Sequence, residues 1–260
     1  MNILYPIDVY DNVVDLAIQT KVWEYLQKQI WHQKWIPKEE QRVLYYKPEH
    51  DGISWMLPKA MHMSSSIHRC VLASDEDSLK RLHLPIYILW QRINQILGNK
   101  YALRGIPEGT LDSETAMPAP TNSTLEPGWR AYVNARHNLQ VSGNGFVHRD
   151  NPFLDRDDYV TMLYVVNTEW YPSWGAELKF YPDDPNGSTG DHQQFNSRGQ
   201  QSRNFNIGWL DKGRVVSPVP NRLIVYDGRC LHSTQASTNQ DISTPSIKVV
   251  FRAQRIADIE

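Results

Sequence analysis

Two cysteines, Cys70 and Cys230, are all the chain carries, so no disulfide framework can be proposed. An excess of charge of one sign is also missing: 27 Lys and Arg stand against 29 Asp and Glu, a net charge of -2. With no Lys/Arg cluster either, no nucleic-acid partner is expected. No run approaches the ~18 apolar residues of a transmembrane helix, so no membrane partner is expected. The opening MNILYPIDVYDN has neither a basic region nor an apolar stretch long enough for a signal peptide, and a cytoplasmic protein is the default expectation. No internal repeat is visible.

What is present suits one large domain, 1–260, whose 260 residues can bury a sizeable core. Nine Trp and thirteen Tyr supply rigid rings for that core and for a pocket. The first hundred residues read as a helical support region. From Asp11 to Trp31, Val14, Ile18, Val22, Leu26 and Ile30 recur every four positions and stripe one helix face. A second helix is expected from Pro85, presenting Ile86, Leu89, Ile93 and Leu97 and stopping at Gly98. Leu103 to Gly128, rich in Pro, Gly, Ser and Thr, is a candidate lid or substrate loop. After Trp129 seven short runs alternate with turn clusters: RAYVN, GFVHRD, YVTMLYVVN, AELKFYP, RVVSP, RLIVYD and IKVVFRAQ. They predict antiparallel strands in a sandwich or barrel, with Pro182 to Gly208 as a polar excursion. The expected fold is α+β, mainly β: amphipathic helices outside a double-sheet core spanning 129–255.

Within that core, GNGFVHRDNPF holds His148 and Asp150 one residue apart behind Gly143 and Gly145. In a strand, positions i and i+2 share a face, so both side chains would reach one point while Arg149 looks away. The alternative is a polar surface turn. A third ligand would come from a distant strand. Of nine histidines, His32, His50, His62, His68 and His83 fall in the helical third, His137 in a turn and His192 in the polar excursion. His232 follows the buried-looking run RLIVYDGRCLH and would enter the mouth of a barrel, unless it is a strand-terminal surface residue. Two imidazoles and one carboxylate leave three open positions, the arrangement of non-haem Fe(II) oxygenases. No thiolate pattern suggests structural zinc.

The segment from Trp129 to Arg255 resembles the double-stranded β-helix (jelly-roll, cupin-like) of the 2-oxoglutarate- and Fe(II)-dependent oxygenases, in particular the prolyl 4-hydroxylase-like branch. GFVHRDNP is similar to a glycine-aromatic-x-His-x-Asp-Asn-Pro element of that branch. YVTMLYVVNTEWYPSWGAELKFYPDD resembles its strand, Asn turn, Trp-bearing linker and Gly-Gly-x-Leu-x-x-Phe-Pro run, with Gly175-Ala176 in place of the glycine pair. VVSPVPNRLIVYDGRCLH resembles the segment ending in the distal His. The resemblance implies that His148, Asp150 and His232 hold Fe(II). It also implies 2-oxoglutarate as cosubstrate and dioxygen, with ascorbate as an optional addition. Asp150 favours hydroxylation over halogenation, because halogenating relatives lack the carboxylate.

The family also places a cation and a tyrosine on the distal carboxylate of 2-oxoglutarate. The chain departs from the pattern here, since STQASTNQDIS after the distal His carries no cation. On the last strand, Ser246, Lys248, Val250 and Arg252 share one face, and Ile247, Val249 and Phe251 the other. Lys248 is the first choice of cation and Arg252 the second; Tyr132 is the first choice of phenol and Tyr164 the second. The implied activity is hydroxylation of a prolyl residue in a peptide or protein. The alternatives are hydroxylation of a free amino acid or another small molecule, and a cupin-like binding module without turnover.

Overall fold

A computed structural model describes residues 5–29, 31–33, 43–46, 55–56, 67–73, 75–103, 133–138, 150, 158–182, 213–235 and 246–256. They form three helices and two antiparallel sheets. The larger sheet is ordered β1 (Ile7–Tyr10), β11 (Leu223–Asp227), β8 (Tyr159–Val165), β13 (Ser246–Arg255), β7 (Val133–Asn138), β5 (Ile67–Ala73), β2 (Trp31–Gln33), β3 (Val43–Tyr46), β4 (Trp55–Met56). A tenth strand, β6 (Tyr101–Leu103), pairs with the end of β13. The smaller sheet is ordered β10 (Arg214–Val216), β9 (Leu178–Tyr181), β12 (Leu231–Thr234).

Parity along the central strands sorts two cores. Met162 and Tyr164 of β8 with Val166 just beyond it, Leu223 and Val225 of β11, and Ile247, Val249 and Phe251 of β13 point to the helices. The opposite face carries Leu163, Val165, Ile224, Tyr226 and Val250, which pack against Leu178, Phe180 and Val216 of the small sheet. Every residue of β8 is buried, as a strand covered on both faces must be. The expected alternation of the last strand is present: Ser246 and Lys248 lie opposite the apolar Ile247 and Val249, and all four are buried.

The helices pack on the first face. α1 (Leu16–Gln27) is capped by Asp15, whose carboxylate accepts from the Ile18 N–H at 2.8 Å. Its Gln19 side chain donates to the Val166 and Asn167 carbonyls at 3.3 and 2.7 Å, fastening the helix to the end of β8. α2 (Glu76–Leu82) is capped by Asp75. α3 (Leu84–Ile96) has proline in its first turn, buries Ile86, Leu89, Trp90 and Ile93, and ends ahead of Gly98 at φ 78°. Trp90 lies against Phe251, ring centroids 5.4 Å apart.

Three expectations change. The first helix is shorter than Asp11 to Trp31, because β1 precedes it and Trp31 belongs to β2. The first hundred residues are not purely helical: five strands run through them, and α2 was not expected. His137 lies in β7 rather than in a turn. The segments 104–132 and 183–212, the GFVHRD run apart from Asp150, and Tyr132 lie outside the described residues. Among the described residues no helix is long and apolar enough to cross a membrane.

Candidate metal and cosubstrate site

Three strands bring one row of side chains to the inter-sheet space. Across β11, β8 and β13, Tyr226 is paired with Thr161, and Thr161 with Arg252. All three donate to Asp150. Thr161 Oγ1 and Tyr226 Oη each lie 2.9 Å from its Oδ2, while Arg252 Nη2 donates to Oδ1 and Nη1 to the backbone carbonyl at 3.4 Å. The Asp150 side chain is fully buried. A carboxylate taken out of water at this depth needs such partners.

The small sheet supplies the facing group. On β12, His232 pairs with Phe180 of β9 and is 1% exposed, so it is no surface histidine. Its Nδ1 lies 3.0 Å from the Cys230 carbonyl, an acceptor only, so Nδ1 carries the proton. In the neutral ring that leaves Nε2 as a lone-pair donor, the tautomer a metal-ligating imidazole needs. Nε2 is 3.6 Å from Asp150 Oδ2 and 3.3 Å from Tyr226 Oη. Phe180 and Tyr226 wall the imidazole, with centroids at 6.0 and 5.0 Å. The chain switches sheets between β11 and β12 across the turn at Asp227 to Cys230, where Arg229 folds back on the Asp227 carboxylate.

Lys248 is 2% exposed on the same face of β13, two inward-facing positions from Arg252. Its Nζ donates to the Ala176 carbonyl at 3.3 Å. Ala176 has φ 64°, a left-handed conformation that favours glycine. Gly175 beside it has φ 72°, so two successive residues of this linker adopt backbone conformations suited to glycine. Trp170 Nε1 donates to the Gly175 carbonyl at 3.1 Å and its ring meets Trp174 edge-on, fixing this linker. Tyr164 is on the wrong face: its hydroxyl donates to Asn221 Oδ1 at 3.0 Å within the helix-side core, and burial pushes its pKa up. It cannot meet a ligand between the sheets.

No family model matches the chain, and no curated protein matches it in sequence. Solved structures do. HygX from Streptomyces hygroscopicus, with nickel and 2-oxoglutarate bound, is 10% identical, with 97% of this chain and 84% of that one covered at a TM-score of 0.52. The non-haem α-ketoglutarate-dependent epimerase SnoN from nogalamycin biosynthesis is 12% identical over 96% of this chain and 79% of that one, TM-score 0.50. A prolyl hydroxylase from Trichoplax adhaerens, in complex with a hypoxia-inducible-factor peptide fragment, overlays more loosely at 0.47, with 14% identity over 96% and 83%. The chain resembles the 2-oxoglutarate- and Fe(II)-dependent oxygenases in fold.

Within this oxygenase-like fold, the described donors are chemically suited to a ferrous ion: a buried carboxylate and an imidazole nitrogen facing each other. Among the described residues no three His, Cys, Asp or Glu gather closely enough to hold a metal by themselves, and His148 lies outside them. Thr161 and Tyr226 were missed by sequence reasoning. Thr161 left one signal, the one small hydroxyl side chain in the buried run VTMLYVV. Tyr226 left none, since a tyrosine on a strand reads as core.

Proposed function

We propose that the chain is a 2-oxoglutarate- and Fe(II)-dependent dioxygenase hydroxylating an unactivated C–H bond. In this reading the two sheets are the halves of a double-stranded β-helix forming a single catalytic domain. The observation that carries it is the buried Asp150–His232 pair, 3.6 Å apart, with its imidazole tautomer set by the Cys230 carbonyl.

His148, Asp150 and His232 would hold the iron. Iron bound there would supply, with 2-oxoglutarate and dioxygen, the oxidising power for hydroxylation, succinate and carbon dioxide being the other products. Arg252 and Thr161 fix the Asp150 carboxylate, so it does not rotate when substrate arrives. The Cys230 carbonyl holds the His232 ring. Lys248 offers its ammonium to the distal carboxylate of 2-oxoglutarate, whose burial would otherwise be costly. Tyr132 is the phenol proposed for that same carboxylate. The aromatic and aliphatic walls between the sheets exclude water. Ascorbate would keep the iron ferrous.

A prolyl residue in a peptide or protein is the substrate that the GFVHRDNP resemblance supports. A small-molecule substrate is the second reading, favoured by the overlay on SnoN, an epimerase of nogalamycin biosynthesis. Proline-containing peptides and free amino acids, incubated with protein, Fe(II), ascorbate and 2-oxoglutarate, should show a mass gain of one oxygen. Gain only on small molecules would remove the prolyl reading. Absence of succinate under every condition would leave a binding module without turnover.

A further inference from the structure

The cationic character of β13 continues across the larger sheet. Arg136 of β7 stands opposite Lys248, Arg69 of β5 opposite Arg136, and His32 of β2 opposite Arg69. Directly opposed residues of antiparallel strands share a face, so one cross-strand row carries three cations and a histidine. Cys70 and Leu72, on the alternate positions of β5, lie in the helix-side core, which puts the row on the other face, the one Val250 turns to the small sheet. None of these four strands contains an Asp or Glu. Like charges set opposite one another repel, so the row calls for an anion that its own strands do not supply. Its flank is polar too: Asn134 and Asn138 share the Arg136 face of β7. Asn138 pairs with Ser246, whose Oγ is buried with no hydrogen-bond partner among the described residues. Buried hydroxyls are almost always paired, so this one points to a ligand beside the row.

We infer that this row is the docking track of an acidic peptide, a substrate with Asp or Glu residues within a few positions of the residue that is hydroxylated. The inference rests on the peptide-hydroxylase reading above and narrows its substrate class. Lys248 serves the cosubstrate in that reading, which leaves Arg136, Arg69 and His32 for the substrate. With strands about 4.8 Å apart, the row from Lys248 to His32 is about 14 Å long. A single carboxylate or a free amino acid meets only part of it, whereas four residues of extended peptide, at about 3.3 Å each, match its length. Acids at alternate positions of such a peptide all turn to one side. Nucleic-acid binding draws on about 6–10 phosphate contacts, more than this row offers. The row escapes a reading along the sequence because its members come from four strands, and only their pairing collects them.

The test reads binding rather than turnover. Fluorescence anisotropy follows labelled peptides, one proline flanked by glutamates, glutamines or lysines, on the full chain with Ni(II) and 2-oxoglutarate. Wild type should bind the glutamate peptide about tenfold more tightly than the glutamine one. Arg69→Gln should lose most of that difference, and Arg69→Glu should transfer the preference to the lysine peptide, which a merely structural role would not do. Arg69 stands two strands from Lys248, so both variants should keep wild-type affinity for 2-oxoglutarate by isothermal titration. Arg136→Gln repeats the measurement from a second strand, and circular dichroism checks that each variant is folded. Equal binding of the glutamate and glutamine peptides by wild type, or a glutamate preference that survives in folded Arg69→Glu, would overturn the inference; 2-oxoglutarate still binding would spare the oxygenase reading. Free glutamate, or a single-stranded oligonucleotide of equal charge, binding as tightly as the glutamate peptide would overturn the peptide as occupant. Failure of wild type to bind 2-oxoglutarate would overturn both.

Discussion

Arg252 and Tyr226 hold the Asp150 carboxylate from opposite sides: the guanidinium donates to Oδ1, the phenol to Oδ2. They sit on β13 and β11, separated only by Thr161 of β8 in the same cross-strand row. One carboxylate is thus fixed by three strands, and the face it presents to His232 is set by the sheet itself.

Replacing Arg252 by Gln should leave a buried charge without its cation. Breaking such a pair costs roughly 3–5 kcal/mol, so the metal-free variant should melt well below wild type. A divalent metal neutralises the same carboxylate. Added Ni(II) should therefore raise the melting temperature more in Arg252→Gln than in wild type, as calorimetry can show. Thr161→Val, nearly isosteric, should weaken Ni(II) binding about tenfold with little change in stability.

Lys248→Met keeps length and apolar bulk but deletes the charge. If the ammonium serves the cosubstrate, affinity for 2-oxoglutarate should fall at least tenfold, since truncating a buried charge pair costs roughly 2–5 kcal/mol. Without 2-oxoglutarate the variant should stay folded, its unbranched stem filling the same space. Isothermal titration at fixed Ni(II) reads the first effect and thermal denaturation the second. Unchanged affinity in Lys248→Met with loss in Arg252→Ala would reverse the choice of cation.

Asn221 ties the lead into α1 to the turn before β11. Its side chain accepts from the Val14 N–H and Tyr164 hydroxyl, both at 3.0 Å, and donates to the Val14 carbonyl at 2.6 Å. It does so at φ 60°. Asn221→Ala leaves buried partners unsatisfied and strains the backbone, a loss of about 2–4 kcal/mol by urea denaturation. Asn221→Gly relieves the strain alone and should recover only part of it.

His83 joins α2 to α3 and accepts a hydrogen bond from Tyr25 through Nδ1. Burial lowers its pKa, while a backbone hydrogen bond involving Leu72 opposes the shift. The unfolded state therefore binds the proton more readily, and stability contributed by neutral His83 is complete above the unfolded pKa, about 6.5. It is lost as pH falls through and below that value. Urea denaturation between pH 7.5 and pH 5 should show this decline, and His83→Gln should flatten it.

The helix-facing and inward-facing sides of β8, β11 and β13 were readable because a two-residue period over a buried strand leaves little freedom. Lys248 stood out as a charge at an inward position of an apolar strand. α3 was bracketed by Pro85 and Gly98, which act locally. α2, only seven residues long, was too short for a helical period to emerge. β12, at four residues, is fixed by its pairing with β9 rather than by its own pattern. The hold of Arg252 on Asp150 depends on cross-strand register, which is a tertiary property. Residue types named the candidate cations; only the fold brought Arg252 to Asp150.

The central claim is that Asp150 and His232, with His148, hold one ferrous ion in a 2-oxoglutarate oxygenase. Anaerobic equilibrium dialysis against Fe(II), with and without 2-oxoglutarate, tests it most directly on wild type and on the His148→Ala, Asp150→Ala and His232→Ala variants. One iron per chain in wild type, tightened by 2-oxoglutarate and lost in each variant, is the predicted result. A wild type that retains no iron, or a His148→Ala variant that binds it undiminished, would contradict the account.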